Sequence, residues 1–243
     1  MKKSIQIIVT TFAILFGNFA FSQVDSVYIV RGDSVLSVYA TTEVDSIIFY
    51  RPTITPTTTE VAIGDSVYGG IVAYILQSGD VGYDANVQHG LVAALTDQGT
   101  AEWGCYETLI SGADGAEIGT GQQNTTDILA GCSETNIAAY ICDTLTLGGY
   151  SDWFLPSKDE LNKLYENIGQ GNVLGLGNVG GFATNKYWSS LEYDNDDAWV
   201  RDFFNGYQGS KHKHFNFFLF ASRTFCCPPG GCRSECDDRG NRS

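Results

Sequence analysis

The residues best suited to chemistry crowd the stretch from Tyr187 to His214. Glu192, Asp194, Asp196 and Asp197 fall in the run Glu-Tyr-Asp-Asn-Asp-Asp, and carboxylate oxygens packed in a loop beside strands are what calcium takes as ligands. Their spacing does not follow an EF-hand loop. The plainer alternative is a solvated acidic loop that keeps a sheet edge from pairing with another chain. Trp188, Trp199 and Tyr207 flank the run and offer flat apolar faces for a sugar ring. His212 and His214 alternate along one strand face and could ligate a metal together, but a third protein ligand is not evident and catalytic zinc takes three. The expected ligand-binding set is therefore Trp188, Asp194, Asp196, Asp197, Trp199, Tyr207, His212 and His214. Calcium is the one candidate cofactor, on Glu192, Asp194, Asp196 and Asp197, and no catalytic residue is expected.

Enzymatic chemistry needs a nucleophile with its base or a pair of tuned acids. His89, His212 and His214 are the only imidazoles, and none sits in a recognisable catalytic motif. Of the seven cysteines, Cys105, Cys132 and Cys142 lie inside the folded region, whereas Cys226, Cys227, Cys232 and Cys236 crowd a Pro/Gly-rich end. That end lacks paired C-x-x-C halves for zinc. Among the three domain cysteines we expect one disulfide and one buried thiol, with the pairing left open.

Charge narrows the partners. With 28 acidic against 14 basic residues the formal net charge is −14, which repels phosphate backbones and sulfated polymers. The best basic patch, Lys211-His212-Lys213-His214, is small. Nucleic acid is not an expected partner; a glycan or a protein at the cell surface is.

The chain must hold these residues on a scaffold, and its composition divides it. Residues 1–22 read as an export signal, with Lys2 and Lys3, an apolar run from Ile5 and small residues Ala20 and Ser22 before the expected cleavage. No cysteine stands there for a lipid anchor, and no later run is long enough to span a membrane, so we expect a secreted or cell-surface protein. Residues 23–50 carry β-branched runs, with Val24–Val30 echoed by Val44–Tyr50, and read as a small β segment. Residues 51–60 are a Pro/Thr linker, residues 61–225 the main domain and residues 226–243 a Cys/Gly/Pro-rich tail.

Within the main domain the clearest local instruction is at Pro156-Ser157, where Ser157 and Glu160 form a capping box and Leu161, Leu164, Tyr165 and Ile168 then give one apolar helix face. Two shorter helices precede it, with Asn124 and Ser133 as expected caps. Ile63–Leu76 reads as a turn-rich entry followed by a buried strand, and further strands are expected at Gly90–Leu95, Tyr187–Ser190, Ala198–Phe204 and Phe217–Phe225, with Asn205-Gly206 joining Ala198–Phe204 to a short strand from Tyr207 as a tight hairpin. Strands, then about three short helices, then strands make an α+β fold with a mixed or antiparallel sheet. The first and last strands are expected to pair.

The ordered series Trp103-Gly-Cys105, Ile118-Gly-Thr-Gly121, Gly148-Gly-Tyr-Ser-Asp-Trp-Phe-Leu-Pro-Ser157, Tyr187-Trp-Ser-Ser190, Ala198-Trp199 and Ala221-Ser-Arg-Thr-Phe225 resembles the Lcl C-terminal-domain family of bacterial surface domains. The resemblance implies a C-type-lectin-like fold and a role in adhesion, as an adhesin or lectin-like domain. It does not carry over a sulfated ligand, which an acidic chain repels. The Val-Asp-Ser repeats resemble a short N-terminal β module of exported Bacteroidetes proteins. Some lectin-like domains of this kind are diversified in their last strands, and the mix of residues between Glu192 and Phe218 is compatible with such a recognition surface. The alternatives are a secreted enzyme on the same surface and a structural module of a surface assembly.

Overall fold

β-branched and aromatic runs give the N-terminal segment an antiparallel meander of β1 (Ile5–Thr10), β2 (Ser26–Arg31) and β3 (Ser34–Ala40), in that spatial order. The computed structural model describes residues 61–227 in full and these three strands by their backbone. β1 falls inside the apolar run read as the export signal. The expected strand at Val44–Tyr50, the linker at 51–60 and residues 228–243 lie outside the described residues. The chain divides into two units, Met1–Ile54 and Thr55–Ser243.

The second unit is built on two sheets. One holds β4 (Ser66–Val67), β5 (Gly70–Ile75), β6 (Gln88–Ala94) and β12 (Ser222–Cys227) in the order β12-β6-β5-β4, all antiparallel. The two ends of the domain therefore share a sheet, but the first and last strands do not pair: β12 lies on β6 and β4 on the far edge, and β12 runs two residues past the predicted close, through Cys226 and Cys227. The other holds β7 (Thr100–Ala101), β8 (Lys186–Glu192), β9 (Asp197–Asp202), β10 (Gln208–His212) and β11 (Phe217–Phe218) in the order β10-β9-β8-β11-β7, with β11 parallel to β8. Three helices, α1 (Gly121–Gly131), α2 (Ala138–Asp143) and α3 (Lys158–Lys163), complete an α+β domain.

The apolar run Phe217–Phe225 reads as one strand but makes two, one in each sheet. Between them Leu219, Phe220 and Ala221 are fully buried. The Leu219 N–H donates to Gly99 O while Ala221 O accepts from the Ala94 N–H, so the backbone changes hydrogen-bonding partners as it crosses between sheets. Three buried indoles fill the core, and each finds a carbonyl for its N–H, as buried Trp requires: Trp103 at Ser189 O, Trp188 at Ala101 O and Trp153 at Tyr150 O.

The capping box forms as read. Ser157 Oγ accepts the Glu160 N–H at 3.2 Å and Glu160 Oε2 accepts the Ser157 N–H at 2.7 Å. Past Lys163 the helix widens into a π turn, Leu164–Ile168, on which the buried Asn167 amide donates to Ala73 O at 2.9 Å. Ala73 sits at the β-bulge of β5, where a carbonyl loses its ladder partner; Asn167 supplies one. The expected caps of the other helices are displaced. α2 starts after Ile137, with no side-chain cap at all, so Ser133 caps nothing. Asn124 lies inside α1, buried, with Oδ1 accepting from Gly115 N–H at 3.0 Å and Nδ2 donating to Gly115 O at 2.7 Å and Ser190 Oγ at 3.1 Å. It ties a loop and β8 to the helix. Asn124→Ala leaves those partners unmet and should cost about 1–2 kcal/mol, read as a lower urea midpoint.

Gly148–Leu155, the centre of the family-like series, is docked on β12. Phe154 and Ser222 exchange two backbone hydrogen bonds at 2.8 and 2.9 Å. The fully buried Arg223 holds Asp152 with both forks, at 2.7 and 2.6 Å, and lies 4.0 Å over the Tyr150 ring. Gly148 has a φ of +64°, and a Cβ there would stand 2.4 Å from Gly69 Cα, so only glycine lets the two loops meet. Cys105 and Cys132 form a disulfide and Cys142 is a buried thiol, the expected one-and-one outcome. No helix among the described residues is long and apolar enough to cross a membrane.

Candidate functional site

β8 and β9 deliver the acidic run to a loop at their joined end, but its carboxylates serve the domain itself. Glu192 accepts the Ile110 N–H at 2.9 and 3.1 Å and the ammonium of Lys213. Asp194 Oδ1 accepts the N–H groups of Asp196 and Asp197 at 2.9 and 2.8 Å, closing the turn. Asp197 Oδ2 accepts from Ser210 Oγ at 2.9 Å, and its Oδ1 lies 2.7 Å from His212 Nδ1. Asp196 is half-buried, with Oδ1 on the Asn195 amide at 3.0 Å. Among the described residues no three of these four carboxylates bring an oxygen within 4.8 Å of one another; the sole such group of three potential ligands is Cys105, Cys132 and Glu134, whose sulfurs are joined.

The basic patch read from Lys211 to His214 splits at the end of β10, which closes at His212, so that Lys213 and His214 stand in the following turn and not on a shared strand face. Lys213 points inward and is fully buried, whereas His212 and His214 stand exposed with rings stacked at 5.5 Å and 12°. Tyr106 and Phe215 pack against His214 at 4.6 and 4.7 Å, an exposed aromatic cluster that joins a loop to the end of β10.

The expected aromatic platform does not assemble. Trp188 is fully buried, because β8 is a central strand covered on both faces, so it is withdrawn from the ligand-binding set. Trp199 shares a face of β9 with Asp197 and Arg201 and is half-buried beneath α3, with Lys158 Nζ 4.8 Å over its ring. Tyr207 is 54% exposed on the hairpin tip. The turn falls at Asn205-Gly206 as predicted, but the loop is wider than the tight hairpin expected, running through residues 203–207 between β9 and β10, with Asp202 N–H on Tyr207 O and Gly206 N–H on Asp202 O, both 2.8 Å.

A cleft missed by the sequence reading opens at the other end of the same strands. It encloses about 420 Å³ and is lined by Thr184, Asn185, Lys186, Asp202, Phe204, Asn216, Phe217 and Phe218. Register explains the gathering: Lys186 of β8 pairs with Asp202 of β9, and Tyr187 of β8 with Phe218 of β11. Lys186 Nζ reaches Asp202 Oδ2 at 3.0 Å, and Asp202 Oδ1 accepts the Phe204 N–H at 2.9 Å. Burial pushes the Asp202 carboxyl up, but the Lys186 ammonium and the N–H groups of Phe204 and Asn205 outweigh it and hold the pKa below the ordinary aspartate value. Phe204 is 74% exposed. Aromatic residues on both shoulders of Asn205-Gly206 were the available signal; the partners from β11 were not adjacent in sequence.

Fold and surface together define a disulfide-braced α+β domain whose unsatisfied polar and aromatic groups lie at strand ends and loops. The profile of the Lcl C-terminal domain matches residues 99–223, just over half of the chain, and the chain belongs to that family. Among solved structures it is similar to a fimbrial protein from Bacteroides ovatus, at 13% identity and a TM-score of 0.40, over 83% of this chain and 57% of that one. The chain thus spans little more than half the length of that protein. No curated protein matches the sequence.

Proposed function

We propose that this chain is an exported, surface-associated binding module, without enzymatic activity, that recognises a glycan or protein ligand through the loops and strand ends between Thr184 and Phe218. The observation that carries this reading is the cleft at the start of β8, an open site where aromatic rings and hydrogen-bonding side chains converge. Membership of the Lcl C-terminal-domain family supports a place at the cell surface. The buried Cys142 thiol supports binding over catalysis at that cysteine, since burial pushes its pKa up and a buried apolar thiol is inert.

The test is saturable binding of the full chain to an array of extracellular glycans and proteins, with calcium and again with chelator. Binding to at least one ligand class is expected, and it should survive chelation because the acidic loop's carboxylates already hold protein donors. Loss on chelation would reinstate the acidic loop as a calcium site. No saturable binding to anything printed would overturn the reading.

A further inference from the structure

The cleft combines three features that together select a ligand. Phe217 and Phe218 present half-buried rings backed by core aromatics, Trp188 at 5.0 Å and Tyr187 at 5.5 Å, so the apolar wall is held in place before any ligand arrives. Phe204 stands at the rim, 74% exposed, an apolar ring left in water that a flat partner would cover.

The polar groups are neutral in sum. Lys186 and Asp202 compensate each other at 3.0 Å, and the second oxygen of Asp202 is occupied by the Phe204 N–H. Asn185 and Asn216 are exposed at the same cleft, and their side-chain amides make no hydrogen bond among the described residues. Each amide offers donors and an acceptor side by side, which matches adjacent hydroxyls that both give and take a hydrogen bond. A net charge of −14 disfavours sulfated and carboxylated ligands throughout the approach.

We propose that this cleft is a saccharide site for a neutral glycan, with room in its 420 Å³ for roughly one or two sugar rings, a volume in the range of ordinary small-molecule sites. Phe204 stacks on the apolar face of a ring, Asn185 and Asn216 bind its hydroxyls, and the Lys186–Asp202 pair closes the floor. The assignment rests on the reading of the domain as a binding module and narrows its ligand to one class.

The experiment uses the labelled full chain on an array of neutral oligosaccharides of hexose and N-acetylhexosamine units, with sulfated and sialylated counterparts and extracellular proteins printed beside them. Binding is expected on neutral glycans, weakened about tenfold by Phe204→Ala, the value of one aromatic stack, and also weakened by Asn216→Ala. Both positions are exposed, so neither variant should disturb folding, and Tyr83→Ala, exposed and outside the span from Thr184 to Phe218, should bind as the parent does. Neutral-glycan binding that ignores both cleft variants would overturn the site. Binding confined to charged glycans or to proteins would overturn the ligand class and leave the module reading standing. An array blank in every class would remove both.

Discussion

A Lys213→Met chain is expected to lose about 3–5 kcal/mol of stability, the usual consequence of breaking a buried ion pair from one side. Lys213 is fully buried, and its ammonium donates to Thr108 O at 2.8 Å, Asn195 O at 3.0 Å and Glu192, while lying 4.9 Å from the centre of the Trp103 ring. All three ammonium donors are therefore used. Its backbone adds to the knot, with N–H on Asp196 O and O accepting the Trp103 N–H, each at 2.9 Å. Three segments remote in sequence meet on this one residue. Without the ammonium, Glu192 keeps only the Ile110 N–H in a dry site, and two carbonyls lose their donor. Glu192→Gln added to Lys213→Met should recover part of the loss, because the uncompensated charge is gone. Urea unfolding reads both variants as shifts in midpoint at unchanged slope. A loss below about 1 kcal/mol for Lys213→Met would mean that water reaches the site and replaces the lysine.

Local instructions were legible in the sequence and their long-range uses were not. The capping box at Ser157 and the turn at Asn205-Gly206 needed only neighbouring residues, and the sharing of one sheet by the two ends of the domain needed only a count of strands. Trp188 was misread because alternation marks a half-buried strand, and β8 is buried on both faces from Tyr187 to Leu191, where every residue type consistent with burial looks alike. Asn124 was misread because its side chain has the chemistry of a cap and nothing nearby says that Gly115 and Ser190 will claim it. The acidic run looked like a calcium loop because the donors that answer it come from far away: Ile110 lies 82 positions from Glu192 and Lys213 lies 21. The cleft was invisible for the same reason, since parallel pairing of β8 with β11 brings Phe217 and Phe218 beside Lys186 without any local signal. The α+β class survived these errors because it depends on the order of elements and not on their partners.

The same capping box predicts how stability responds to pH. Glu160 is fully buried where the turn before α1 meets the start of α3, with Oε1 accepting the Gly119 N–H at 2.8 Å and Oε2 the Ser157 N–H at 2.7 Å. A Cβ at Gly121 would lie 2.2 Å from Oε2, so the glycine there makes room for the carboxyl. Burial is the dominant influence, and although the N–H groups of Ser157, Gly119 and Gly121 pull the other way, the pKa is pushed up to about 7. The folded chain therefore holds the proton more tightly than the unfolded chain does. The stabilisation is complete below the unfolded value of about 4.5 and is lost as pH rises through about 7, in total on the order of 3 kcal/mol. Glu160→Gln mimics the protonated acid and removes this dependence, so the variant should gain on the parent steadily from pH 4.5 to pH 7 and hold that gain above it. Denaturation midpoints of both chains across that window decide the matter. Parallel curves would show that the three N–H groups and two helix starts keep the carboxylate ionised throughout, and that hydrogen bonding to the charged form outweighs its burial.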